Sequence, residues 1–527
     1  MFTQCVTTTG RQVLHAPGQE DRWSRYTFTH PLIHDMSLSL SQHFIDELLS
    51  FSPSTTPSDP VPGLIARQPV HTVYGGAQLF TADISQKLGR SALETLRKYG
   101  ADCITFARVL GLPGSALLPS TPAGAKARLS LLRRRALHMK ETDRPGWLAW
   151  HVYERVVNKL TNEPVEDYRI DFEDGFGYRT GEEEDEQAQR TAREVARGMR
   201  ERKLPPMVGI RIRPLAGGTI HRALRTLDMF LNVLLGETGG GLPAGFVITL
   251  PKVSHTDQVR ILVRACAHLE TALRLRPGIL QCELMVETPR SLVTEEGNVA
   301  LPGLVKAGEG RCVAVHFGAY DFTAACDVAA PFQTLDHPLC DGARALMSIS
   351  LAGSRIRLSD GATATLPVGP HAGKPGAKPL TRLQAQENRD AVHHAWRLAY
   401  NDILRSLHAG FYQGWDLHPA QLPVRYAAMY AFFLDALDSA AERLNRFVAR
   451  AARATRSGGI FDDAATGQGL LNFFQRGLHC GALTADDVKS IEMSPDEIHS
   501  KSFVTILEAR RSSGLPRPNS LNQDSAF

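Results

Sequence analysis

The feature that most constrains this chain is an alternation. From about residue 70 onward, short apolar runs of strand length alternate with longer segments of helical apolar spacing. The strand-like runs are HTVYGGAQLF (71–80), VEDYRIDFED (165–174), MVGIRIRPL (207–215), GFVITLPKV (245–253), QCELMVET (281–288), RCVAVHFGAYD (311–321), a weaker RIRLSDGATATL (355–366), and FYQGWDLHP (411–419). Helical spacing occupies 82–100, 147–160, 180–203, 219–236, 256–275, 336–353 and 381–408. Strands that are apolar along nearly their whole length are buried on both faces, as in a parallel sheet covered by helices. A count approaching eight units favours an α/β fold of the (β/α)8 TIM-barrel type over an open doubly wound sheet. No GxGxxG opens a helix after a strand, which argues against a nicotinamide-binding domain.

The expected organisation is an N-terminal extension and linker at 1–65, a barrel at 66–425, a C-terminal helical segment at 426–510 and a flexible polar tail at 511–527. Within the extension, 38–51 reads as an amphipathic helix and the proline-rich 52–63 as a linker. Residues 110–125 read as a loop, as does GPHAGKPGAKP (369–379). The latter is not a phosphate loop, because its spacing is wrong and Lys374 precedes Pro375. The basic stretch 131–140 reads as a solvated helix face. So do the five acids at 182–186, which complement a helix dipole. Phe432, Phe433, Phe473 and Phe474 are expected to pack on the barrel or on another subunit.

Composition excludes several classes. A net charge of +4 over 527 residues is too weak a bias for nucleic acid or a membrane surface. No apolar run approaches the ~18–20 residues that span a bilayer. The eight cysteines are scattered without a CxxC pair, which points to a reducing compartment, and the cytoplasm is the expected location.

In such barrels the chemistry gathers where strands end and βα loops begin. Reading those ends gives Asp171, Glu173 and Asp174, then Arg211 and Arg213, Lys252, Glu287, Asp321 and His418. Carboxylates without soft ligands suit Mg²⁺ or Mn²⁺ rather than zinc. Glu287 and Asp321, on neighbouring strands, meet that need as metal ligands. Arg211 could clamp a substrate carboxylate through both arms of its guanidinium. Arg213, Lys252 and His418 are further candidates for substrate binding. Lys252 reads equally as a site cation or as a lysine lying along the mouth. His418 reads as a hydrogen-bonding neighbour. The general base is unassigned. Together these groups suit a small 2-oxo acid.

The motifs LPKV (250–253), VET (286–288), HFGAYDFTAACDV (316–328) and GWDLHPAQL (414–422) resemble the strand-end motifs of the citrate lyase β-subunit and HpcH/HpaI aldolase family. Their order is also similar: D-x-E-D, R-I-x-P, L-P-K-V, E-T, F-G-x-x-D, H-P-x-Q. The resemblance spans about 165–422. It implies a (β/α)8 barrel of the pyruvate/phosphoenolpyruvate-binding type. The implied activity is that of a lyase or aldolase acting on an oxo acid or acyl-CoA ester through a metal-stabilised enolate. By motif, Glu287 and Asp321 are the implied metal ligands and Arg211 the carboxylate binder. The DFED carboxylates, Asp171, Glu173 and Asp174, are implied to flank the metal through water or to orient Arg211. A homo-oligomer is implied too. Two departures stand out: Arg213 replaces the usual Asn of R-I-N-P, and the lysine often found soon after D-x-E-D is missing. Rival expectations are thioester hydrolysis, phosphoenolpyruvate chemistry, or a non-catalytic metabolite-binding barrel.

Overall fold

The structure is a computed structural model that describes residues 67–371 and 379–449, then 455–457, 460–462, 464–491, 493–498 and 506. The expected extension at 1–65, Lys374 with most of its loop, and the tail at 511–527 lie outside the described residues. Each expected strand contains an observed one: β1 His71–Gly76, β2 Asp167–Asp171, β3 Met207–Arg211, β4 Val247–Leu250, β5 Gln281–Val286, β6 Cys312–Phe317, β7 Arg357–Ser359 and β8 Gly414–Asp416. They hydrogen-bond in the order β7-β6-β5-β4-β3-β2-β1-β8, and the seven pairings are parallel. A Ser359–Gln413 bridge joins β7 to β8, aided by Asp360 N–H to the Gln413 carbonyl at 2.8 Å, so the sheet closes into a (β/α)8 barrel.

Between β1 and β2, four described helices fill the first connection: α1 Ile84–Tyr99, α2 Cys103–Leu110, α3 Pro122–Arg135 and α4 Arg144–Asn162. The loop expected over 110–125 therefore ends early. Thr121 accepts the Gly124 N–H at 3.2 Å and Pro122 occupies the first helical turn, both of which favour a helix start. The later strands alternate with α5 Gly181–Glu201, α6 Ile220–Thr238, α7 Thr256–Ala272, α8 Leu301–Ala307, α9 Ala319–Ala325, α10 Pro338–Leu351, α11 Arg382–His408 and α12 Leu422–Ala449. Helix α12 runs across the boundary expected at 425/426. With α13 Ala464–His479 it brings the phenylalanines together: Phe433 and Phe474 are buried, and Phe432 and Phe473 pack against the same core. Ring centroids of Phe433 and Phe473 lie 5.0 Å apart, so this aromatic group is packed within the chain. No helix among the described residues is long and apolar enough to cross a membrane.

The period of two in each strand divides two environments. Tyr168, Ile170, Val208, Ile210, Ile248, Leu284 and Val315 belong to the main apolar core. Their alternate neighbours line a polar barrel interior. There Arg169 donates through Nε and Nη2 to Glu283 at 2.7 and 2.8 Å, and its Nη1 pairs with Asp167. Thr72 donates to Asp167 at 3.0 Å, and Gln413 donates to Thr72 at 3.0 Å. Burial pushes the Glu283 carboxyl up, but Arg169 and His316 outweigh it and hold it well below the ordinary range.

Breaking such a buried cluster leaves charge uncompensated. Arg169→Met should destabilise the fold by about 3–5 kcal/mol, read as a lower urea midpoint with unchanged slope. A midpoint within error of the wild type would show that the cluster is not holding the barrel interior.

Candidate active site at the barrel mouth

The DFEDGFG stretch ends β2 on Asp171 for a structural reason. Asp171 accepts the N–H groups of Glu173 at 2.9 Å and Gly175 at 2.7 Å, which shapes the turn. The same carboxylate receives Arg211 Nε at 2.7 Å and Nη2 at 2.5 Å from the end of β3. A Cβ on Gly175 would stand 2.6 Å from Asp171 Oδ2, so glycine is needed for this close approach.

Arg211, expected to clamp a substrate carboxylate, spends its Nε–Nη2 edge on Asp171, which leaves Nη1 for other partners. The guanidinium lies over the Tyr74 ring at 4.9 Å, and Nη1 is 3.3 Å from Glu173 and 4.0 Å from Glu287. Among the DFED carboxylates expected to flank the metal or orient Arg211, Asp171 is the one that grips its guanidinium through two hydrogen bonds.

Glu173 and Asp174 instead face Lys252, whose Nζ is 2.5 Å from Glu173, 3.1 Å from Asp174 and 3.8 Å from Asp321. Lys252 adopts φ 50°, a left-handed conformation that costs a non-glycine residue about 1 kcal/mol or more. That turn aims the backbone N–H at Glu287 Oε2, 2.8 Å away, while the side chain reaches the acids. Lys252 is thus a cation within the cluster rather than a lysine lying along the rim. Burial pulls its ammonium down, but hydrogen bonding and charge from Glu173 raise it overall.

Glu287 ends β5 and is 1 % exposed. Gly318 makes room for it, since a Cβ there would lie 2.4 Å from Glu287 Cγ. Burial pushes the Glu287 carboxyl up to about 7, against the pull of Arg211 and with a smaller push from Asp321. Burial likewise raises Glu173 and, at the first turn of α9, the half-exposed Asp321. Asp174 is lowered; burial opposes this, but hydrogen bonding from Glu173 and the charges of Arg211 and Lys252 prevail.

The donor set is hard oxygen only. Among the described residues no three His, Cys, Asp or Glu side chains converge tightly enough to hold an ion alone. A Mg²⁺-type ion needs only one or two carboxylates and fills its remaining positions with water and substrate oxygens. Glu287 and Asp321 fit that demand, beside a place where Lys252 already marks favourable positive charge.

Two other candidates have partners of their own. Arg213 donates to Glu184 at 2.8 Å and to the Gly177 carbonyl at 3.3 Å, because the chain leaves β3 after Arg211. Glu184, from the acidic run expected to be solvated, is 1 % exposed and also pairs with Arg222. His418 accepts the Ala420 N–H at 3.1 Å, while Gln421 accepts the His418 N–H at 3.1 Å. The H-P-x-Q motif is therefore a helix-capping box, repeated by His255 and Gln258 ahead of α7.

Beneath Arg211 lies a layer the strand-end reading missed: Tyr74, Met285, His316 and Trp415. Tyr74 and Trp415 rings are 4.6 Å apart, and Tyr74 Oη is 3.0 Å from His316 Nδ1. Counting back by two from Gly76 and Glu287 reaches Tyr74 and Met285, so the strand period was the available signal. A cavity of about 850 Å³, lined by residues including Arg108, Lys126, Leu129 and Arg133, lies between α2 and α3 and shares no residue with the mouth.

The family described as Domain of unknown function (DUF6986) matches residues 58–506. No curated protein matches the chain. Among solved structures, a citrate lyase from Burkholderia xenovorans LB400 is similar at 21% identity and a TM-score of 0.46, over 64% of this chain and 90% of that one. Malate synthase from Haloferax volcanii is similar at 16% identity and a TM-score of 0.35, over 67% and 87%. The same enzyme's ternary complex with pyruvate and acetyl-CoA is similar at 15% identity and a TM-score of 0.35, over 67% and 95%.

The Glu287 shift predicts a pH effect on the metal-free protein. Its carboxyl rises from an ordinary 4.5 to about 7 in the folded state, so the folded protein keeps a proton that the unfolded chain releases. The associated stability is complete below 4.5 and is lost as pH rises through 7. The loss amounts to roughly 3 kcal/mol. Glu287→Gln should flatten this fall and leave the chelator-treated protein more stable than wild type at pH 8. Equal urea midpoints for both proteins across pH 5–8 would contradict it.

Proposed function

The chain belongs to the DUF6986 family, and from the geometry of its barrel mouth we propose that it is a Mg²⁺- or Mn²⁺-dependent carbon–carbon lyase or aldolase. Its substrate is a small 2-oxo acid or the corresponding acyl-CoA ester. The observation that carries this reading is Glu287: a buried carboxyl flanked by Arg211 and Lys252, with Asp321 alongside. The order of strand-end motifs and the likeness of those motifs to lyases acting on oxo acids point the same way.

Glu287 and Asp321 would hold the ion. Such an ion polarises substrate oxygens and offsets the negative charge of an enolate. The chain's own groups supply the rest. Arg211 Nη1, fixed by the Asp171 fork, and Lys252 Nζ, fixed by Glu173, offer charge-assisted donors to a substrate carboxylate. Because both cations are held by carboxylates before substrate arrives, little reorganisation is needed on binding. Glu173 and Asp174 balance the two cations, so the site accepts an anionic substrate together with a dication.

The test is product analysis with the full chain, with and without Mg²⁺, on a panel of hydroxy-oxo acids and their CoA esters. Cleavage to an oxo acid and an aldehyde, lost on chelation, is expected. Glu287→Gln and Asp321→Asn should each lower kcat/KM by at least ~10²-fold without lowering the melting temperature. Free CoA or phosphate as the only product would replace the lyase reading. Ligand-dependent stabilisation without any product would replace it with a metabolite-binding barrel.

A further inference from the structure

An enolate-forming lyase needs a proton donor for the carbon left behind by bond cleavage, and the carboxylates of the mouth are poorly suited to the task. Asp171 is saturated by Arg211 and two backbone N–H groups. Glu173 and Asp174 are paired with Lys252. Glu287 accepts the Lys252 N–H and is an expected ion ligand. His418 is a helix cap.

We infer that Tyr74 is the catalytic proton donor of this site, with His316 as its positioning residue. This rests on the enolate reading above. Tyr74 projects from β1 into the barrel between Arg211 and Trp415 and is only partly buried, whereas His316 behind it is fully buried. Its Oη meets His316 Nδ1 at 3.0 Å. His316 Nε2 in turn stands 3.2 Å from Glu283, off the hydrogen-bonding direction, and Glu283 is locked to Arg169 by two hydrogen bonds. The chain of contacts thus runs from the mouth to the charged cluster in the barrel interior. Burial of an imidazole at that depth, facing a carboxylate on one side and a phenol on the other, has no role in the apolar core.

The chemistry balances without a co-reactant. Cleavage leaves the electron pair of the broken carbon–carbon bond in the substrate enolate. The enolate carbon takes the Tyr74 Oη proton: a C–H bond forms, the O–H bond breaks and the carbonyl is restored. Arg211, whose guanidinium lies 4.9 Å from the ring centroid, stabilises the phenolate. In the competent state His316 Nδ1 carries a proton toward Oη. It donates to Oη and holds it in place, and the phenolate regains its proton from solvent on the partly exposed side of Tyr74. Burial, and after it the charge of Glu283, push the phenol well above its ordinary value, so Tyr74 is protonated at neutral pH.

The test follows loss of methyl proton signal by NMR in D₂O, with the full chain, Mg²⁺ and either pyruvate or acetyl-CoA. Wild type should exchange the methyl protons of at least one. Tyr74→Phe should slow that exchange by at least ~10²-fold while the compound still raises the melting temperature as in wild type. His316→Asn, whose amide can donate near the Nδ1 position, should retain more exchange than His316→Ala. That comparison decides the matter if Tyr74→Phe fails to fold. Unchanged exchange in Tyr74→Phe, or equal loss in the two His316 variants, would overturn the inference. No exchange by wild type with either compound would instead overturn the enolate reading, and the role of Tyr74 with it.

Discussion

The Asp171–Arg211 fork is the interaction on which the mouth of this barrel depends. It fixes three things together. The carboxylate shapes the turn that carries Glu173 and Asp174, through the N–H groups of Glu173 and Gly175. The guanidinium is pinned by two of its nitrogens, which leaves Nη1 facing Glu173 and Glu287. The plane of that guanidinium then covers Tyr74. Loss of either partner would release a buried charge and disorder the turn at the same time.

Below the mouth, the barrel interior is ionic rather than aliphatic. Arg169, Asp167 and Glu283 are each at most 1 % exposed and satisfy one another with Thr72, Thr249 and Gln413. Aliphatic side chains fill the sheet–helix layer outside instead. Ion pairs of this kind add little net stability over a packed apolar core, yet they demand one geometry. Here the demand extends upward, since Glu283 approaches His316, and His316 holds Tyr74. The mouth and the interior form one polar column inside an apolar jacket.

The jacket is what the sequence made legible. Strands covered by helices are apolar along most of their length, so Val247–Leu250 and Cys312–Phe317 stand out as runs, and their alternation with helices indicates the barrel. The polar column was harder to read. Arg169, Glu283 and His316 each sit singly inside a strand, and nothing local marks a charged residue as inward and paired. Strand ends drew attention to charged residues without showing where each would turn. Arg213 has the same inward parity as Arg211, but β3 ends between them and Arg213 turns to Glu184. His418 carries a motif whose chemistry is a cap, which the matching His255–Gln258 box could have signalled.

The central claim is that Glu287, just past the end of β5, and Asp321, in the first turn of α9, share a hard dication beside Arg211 and Lys252. Anomalous scattering from crystals of the full chain grown with Mn²⁺ and pyruvate tests it directly. The account predicts one strong peak within bonding distance of both carboxylates, with pyruvate oxygens completing the shell. A well-ordered mouth in which the Mn²⁺ peak lies elsewhere, or touches neither carboxylate, would contradict it.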